Sequence, residues 1–221
     1  EVYAGVIGMD VDAGGPVSVT SEAQTAILST LLSNVSSSGG SAWGTGESLA
    51  VNGQIATNLV QSQALTEVTD SDIATTGAGA LGNVDISATN AATLDATLSP
   101  STQSGDTAVS VTLAFNTLGW ESSNVLFNLV EAVLTDPLIS EELLDGLTYS
   151  SARALVTNAD IEATGAVSVE ADSAELLNAT LSNSTVSAAS ALKGAEGKSI
   201  GFAVASNKIA GKAVAEIDNS G

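Results

Sequence analysis

The sequence predicts an all-β chain, a parallel right-handed β-solenoid of roughly nine coils with one helical insertion. Three observations predict it. The same phrases recur three times in the same order. Short segments alternate apolar and polar residues with period 2. The apolar residues are nearly all aliphatic or alanine, with 3% aromatic residues in a chain that is 44% hydrophobic.

The repeat comes first. Asp10-Val11-Asp12-Ala13-Gly14-Gly15 leads to Val17-Ser18-Val19. Asp72-Ile73-Ala74-Thr75-Thr76-Gly77 leads to Val84-Asp85-Ile86, and Asp160-Ile161-Glu162-Ala163-Thr164-Gly165 leads to Val167-Ser168-Val169. A second phrase has Asn58, Ala64 and Val68 spaced like Asn207, Ala213 and Ile217. Asn116, Ala152 and Val156 fill the same roles across a 30-residue insertion. Val6 stands in the phase of Val68 and Val156. These matches divide the chain into units of about 1–62, 63–150 and 151–221.

The strands follow from alternation. Val17-Ser18-Val19-Thr20, Val84-Asp85-Ile86-Ser87, Val109-Ser110-Val111-Thr112-Leu113 and Val167-Ser168-Val169-Glu170 read as short strands bounded by turn residues. A narrow aliphatic interior suits coils stacked like on like, since one coil cannot bury its inner face alone. At ~20 residues per coil, each unit supplies about three coils. Each coil rises ~4.8 Å, giving an axis near ~45 Å and ~14 Å between equivalent positions. Parallel crossovers favour the right hand. The competing fold is a β-sandwich with irregular loops.

The insertion, about 118–147, reads as a helical hairpin. Leu126, Leu129, Val130, Val133 and Leu134 have helical spacing. Asp136-Pro137 opens a second helix that Gly146 stops. It packs back on its own domain or offers a lateral contact surface.

Charge excludes several functions. The chain has 25 acidic and 5 basic residues, no histidine and a net charge of −20. All five bases, Arg153, Lys193, Lys198, Lys208 and Lys212, lie in the last third. Nucleic acid needs clustered cations and is excluded as a partner. No stretch approaches the ~20 apolar residues of a membrane span. With no cysteine, disulfides and thiolate sites are absent. Self-repulsion makes stability rise with salt. Glu1 is not an initiator Met, and no signal peptide is visible, so the chain reads as consecutive units of a longer array.

Ser199-Ile200-Gly201-Phe202-Ala203-Val204-Ala205-Ser206-Asn207, Ala213-Val214-Ala215-Glu216-Ile217 and the segment Asp160 to Ala171 resemble a repeat of large bacterial surface and secreted proteins. These are adhesins of the filamentous-haemagglutinin-like kind. The resemblance covers most of the chain outside about 118–147. It implies extracellular parallel β-helix stalks with roles in adhesion, matrix or cell-surface structure. It brings no catalytic residues to carry over.

Candidate chemistry is sparse. Asp10, Asp72 and Asp160 share one phase, Asp12 and Glu162 recur two residues on, and Asp70 adds an acid two residues before Asp72. Acidic turns near glycine can hold calcium through carboxylate and backbone oxygens, although solvated turn acids explain them too. Asn58, Asn116 and Asn207 predict a side-chain hydrogen-bond ladder. Three glycosylation sequons begin at Asn34, Asn178 and Asn183, as chance alone allows in such a composition. Trp43 and Trp120 offer faces on which sugars stack. The expected function is a structural or adhesive repeat module at the cell surface or outside the cell. Its expected partners are neighbouring copies or further repeats, and glycans or another cell surface. The alternative is a carbohydrate-binding module. An enzyme acting on polysaccharide ranks last, because no pair of acids is placed in a cleft beside a base.

Overall fold

Fourteen strands run in chain order in a computed structural model that describes residues 1–38, 47–119, 150–188 and 197–221. They are β1 (Val2–Ile7), β2 (Asp10–Ala13), β3 (Val17–Ser37), β4 (Leu49–Val60), β5 (Gln63–Thr69), β6 (Asp72–Thr75) and β7 (Val84–Ser104). Then come β8 (Thr107–Leu118), β9 (Ser150–Thr157), β10 (Asp160–Glu162), β11 (Val167–Leu181), β12 (Ser184–Ser187), β13 (Lys198–Ile209) and β14 (Gly211–Asp218). A 3-10 turn, Gly79–Gly82, stands between β6 and β7. It lies within the extra residues that separate Gly77 from Val84 in the middle unit.

Among the described residues all pairing is parallel and forms four sheets. Sheet A has the order β1-β5-β9-β14, sheet B β10-β6-β2, and sheet D β13-β8-β4. Sheet C centres on β7, flanked by β3 on one side and by β11 and β12 on the other. Equivalent residues of successive units are direct neighbours. Val17 pairs with Val84 and Val84 with Val167. Asn58 pairs with Asn116 and Asn116 with Asn207.

This register corrects the coil length. One repeat unit supplies one layer through all four sheets, not three coils of ~20 residues. The nine coils become three layers, plus β14 as the start of a fourth in sheet A. Equivalent positions therefore lie ~4.8 Å apart, not ~14 Å. The error has a physical source. Ser, Thr and Asn inside β3 and β7 read as turn residues, but here they are interior rungs of strands 21 residues long. Such a strand spans about 70 Å.

Packing shows how each layer closes. Along β7, Ile86 packs with Val68 and Val156 of sheet A, Leu94 with Val60 and Leu118, and Leu98 with Ala56 and Ala114. Sheets D and A together therefore run back along the length of sheet C. Sheet B turns the corner at one end, and the Gly105–Asp106 turn closes the other. The interior is two walls facing each other across small aliphatic side chains.

Hydroxyl and amide pairs cross that interior between the apolar clusters. Ser21 Oγ lies 2.7 Å from Thr66 Oγ1, and Asn90 Nδ2 donates to Ser150 Oγ at 2.8 Å. Ser29 Oγ donates to Asn58 Oδ1 at 2.6 Å, and Ser33 Oγ to Asn52 Oδ1 at 2.9 Å. These bonds offset part of the cost of burying polar side chains, while Asn90 Oδ1, Thr102 Oγ1, Ser110 Oγ and Thr112 Oγ1 are buried without a hydrogen-bond partner among the described residues. Opposite Pro100, which has no N–H for the ladder, the third layer is interrupted between β11 and β12.

The helical insertion falls almost wholly outside the described residues. Within them, Leu118 ends β8 and Gly119 follows in the left-handed region at φ 62°. No helix among the described residues is long and apolar enough to cross a membrane.

Candidate functional site

The six candidate calcium ligands gather at one corner. Asp10, Asp72 and Asp160 are register partners across sheet B, and Asp12 and Glu162 flank Ala74 in a second column. All six acids, Asp70 included, are exposed. Strand neighbours on one face stand ~4.8 Å apart, so three like charges face one another along the column. Even so, no group of three or more acidic side chains is gathered around one point among the described residues.

Asp70 belongs to a second column that the repeat alignment contains but alternation does not reveal. Gly8 (φ 61°), Asp70 (φ 50°), Asn158 (φ 50°) and Asn219 (φ 48°) occupy the same corner of successive layers, all left-handed. Only Gly, Asn and Asp visit that region readily, which explains the residue types. The signal was present as a Gly, Asp or Asn two residues before each acid of the Asp10, Asp72 and Asp160 phase. Asn158 Nδ2 donates to Asp70 Oδ1 at 3.3 Å, which ties two layers together. Asp70 thus has a side-chain partner that the other candidate ligands do not have among the described residues.

The asparagine ladder is present as expected. Asn58 Nδ2 donates to Asn116 Oδ1 at 2.8 Å, and Asn116 Nδ2 donates to Asn207 Oδ1 at 2.9 Å. Each amide also reaches the facing wall: Asn58 Nδ2 bonds the Asp95 carbonyl at 3.3 Å and Asn116 Nδ2 the Asn178 carbonyl at 2.6 Å. The inward Asn116 fixes the parity of β8. Ala108, Ser110, Thr112, Ala114 and Leu118 must then point inward, and Val109, Val111 and Leu113 outward. The apolar residues of Val109-Ser110-Val111-Thr112-Leu113 therefore face away from the core, contrary to the expected pattern.

Two cations share a cleft on the outer face of sheet A. Its walls are Glu1, Gln63, Ala64, Leu65, Ser151, Arg153 and Lys212, around a volume of about 320 Å³. Register explains the gathering: Gln63 pairs with Ser151 and Ser151 with Lys212, while Leu65 pairs with Arg153 beside them. In a chain of net charge −20, this is a place that favours an anion. Among the described residues, Glu1 is the carboxylate in its walls. Nearby, Tyr3 donates to Glu67 Oε2 at 3.3 Å. Its phenol is held above the ordinary 10.0 by partial desolvation first, and then by the Glu67 charge and hydrogen bond.

Trp43 and Trp120, weighed as sugar-stacking residues, lie outside the described residues. Comparison with family models, with curated proteins and with solved structures gives no match.

Proposed function

We propose that this chain is a structural, adhesive repeat module of an extracellular or cell-surface bacterial protein, a right-handed β-solenoid segment whose turns are the layers described above. One observation carries the reading. Equivalent residues of successive units stack in register in all four sheets, so a further unit or copy can add by the same parallel pairing. Among the described residues, the strands β3 and β4 on one end, and β11 and β13 on the other, pair on one side only. Unpaired strand edges are templates for further strands. The acidic, cysteine-free composition and the resemblance to adhesin repeats support a place outside the cell, and we assign no catalytic role.

Electron microscopy of the concentrated protein tests this function. Filaments whose long axis repeats at the strand spacing support it. Particles that never elongate, together with no retention on cells or matrix, sink it.

A second reading rests on the Arg153 and Lys212 cleft, which suits the carboxylates of an acidic glycan. Uronate-containing polymers should bind, and Arg153→Gln should remove that binding; no signal on any acidic glycan rejects the idea. For calcium we propose the Asp10, Asp72 and Asp160 column, where a divalent ion would relieve repulsion between adjacent layers. Calorimetric titration without saturable heat would exclude it.

A further inference from the structure

Among the described residues, the interior of the stack is neutral with one exception. Of the side chains that the strands turn inward, Glu175 alone carries a charge. Its place follows from register. Inward Thr25, Ala92 and Glu175 form one column through β3, β7 and β11. In the middle layer Ala92 is 2% exposed and packs with Val60, Leu94 and Leu118. In the third layer Glu175 is half-buried, and Ser173 Oγ donates to its Oε1 at 2.6 Å. The carboxylate reaches across the interior to Gly211, where an added Cβ would collide with both its oxygens. No counter-charge faces it within the described strands. The inward residues of β7, β8, β9, β13 and β14, which pack around β11, are all uncharged.

We propose that Glu175 gates the joint at which a further copy adds to the third layer, and that protonation opens the gate. This deepens the stacking reading above and rests on it. A copy stacked on β11 brings its Thr25 beside Glu175 and its own interior over the carboxylate, out of water. An ionised carboxylate with no cation beside it is costly to bury, whereas the protonated acid donates to a hydroxyl such as Thr25 Oγ1. Inward-pointing charges are one means by which sheet edges avoid adding strands.

The outer faces act in the same direction. Inside the chain, Ala74 separates Asp12 from Glu162, and Thr89 separates Glu22 from Asp172. At the joint those neutral spacers are missing. Glu162 meets Asp12, Asp172 meets Glu22 and Asp160 meets Asp10, each pair ~4.8 Å apart along a column. These pairs face water, so salt screens them. Salt does little for Glu175, because its penalty is the loss of hydration on burial.

Light scattering with electron microscopy, on the full chain from about pH 7.5 down to about pH 4.5, tests the gate. The unsubstituted chain should stay unassembled at the upper end and form filaments as the pH falls. Glu175→Ala, which copies Ala92, and Glu175→Gln, which keeps the shape, should each raise the pH at which filaments appear by about one unit or more. Asp85→Asn removes the same charge from the outer face of the middle layer and should leave that pH nearly unchanged. Filaments of the unsubstituted chain at about pH 7.5 in low salt overturn the gate and leave stacking in place. A control that shifts as far as the Glu175 variants does the same. So does assembly at that pH once about 1 M NaCl is added, since surface repulsion then sets the threshold. If neither the chain nor its Glu175 variants elongate at any pH, the stacking reading falls and the gate falls with it.

Discussion

At the scale of single residues, one asparagine holds two walls and three layers together. Asn116 is buried, donates to Asn207 and to the Asn178 carbonyl, and accepts from Asn58. Asn116→Ala leaves those partners unsatisfied inside the stack. The expected loss is on the order of 2–3 kcal/mol in denaturant unfolding, set by the cost of buried groups without partners. Asn207→Ala should cost less, because that residue is exposed in the outer layer. Equal losses at the two sites would mean the ladder is not the source. The left-handed corner gives a second test. Asp70→Gly removes backbone strain and a charge but also the bond from Asn158, and the net change should stay within about 1 kcal/mol. Asp70→Val keeps the strain and adds a β-branched side chain, so it should destabilise by about 1–2 kcal/mol or more.

At the scale of strands, facing direction decides everything, and adjacent residues make the point. Leu177 packs inward with Leu94 and Leu118, while Leu176 points outward at 62% exposure. Leu177→Ala should cost about 2 kcal/mol. Leu176→Ala should cost under about 0.5 kcal/mol, as surface substitutions do. Similar costs for both would put this segment in another register.

The phases of the repeat were legible because equivalent residues are the same or alike: Asp10, Asp72 and Asp160, or Asn58, Asn116 and Asn207. The strand lengths were not. Ser21, Asn90 and Thr102 are buried inside long strands, yet such residues mark turns when water is their partner. Sheet D was misread for a related reason. Valine and leucine usually point inward, but the buried Asn116 outranks Val109, Val111 and Leu113 when parity must be chosen, because an unbonded buried amide costs more than exposed methyl groups. The cation cleft was invisible in sequence, since Gln63, Arg153 and Lys212 meet only through register between units.

At the scale of the whole molecule, charge and layer count set behaviour. The described cations are few, so the acidic faces repel across layers and between copies. The melting temperature should rise by several degrees between about 0.05 M and about 0.5 M NaCl, over which the Debye length falls below the interlayer spacing. A melting temperature indifferent to salt would show that these carboxylates do not oppose folding. Sheet A has four strands where sheets B and D have three layers. A copy that stacked its β2, β3 and β4 onto β10, β11 and β13 would bring its β1 into the place β14 fills. Removing residues 211–221 makes that end flush, so the shortened chain should elongate into filaments faster than the full chain. Slower elongation would mean that β14 itself nucleates the contact.

All of this rests on layers that are long and flat, with one repeat unit in each. The most direct measurement is the distance between spin labels at Thr20→Cys and Ser36→Cys, two exposed positions on β3 in a chain with no other cysteine. An uninterrupted strand puts them about 50 Å apart. A narrow distribution near that value is the predicted result, and a separation below about 25 Å would show the chain folding back within the segment and would contradict the layer.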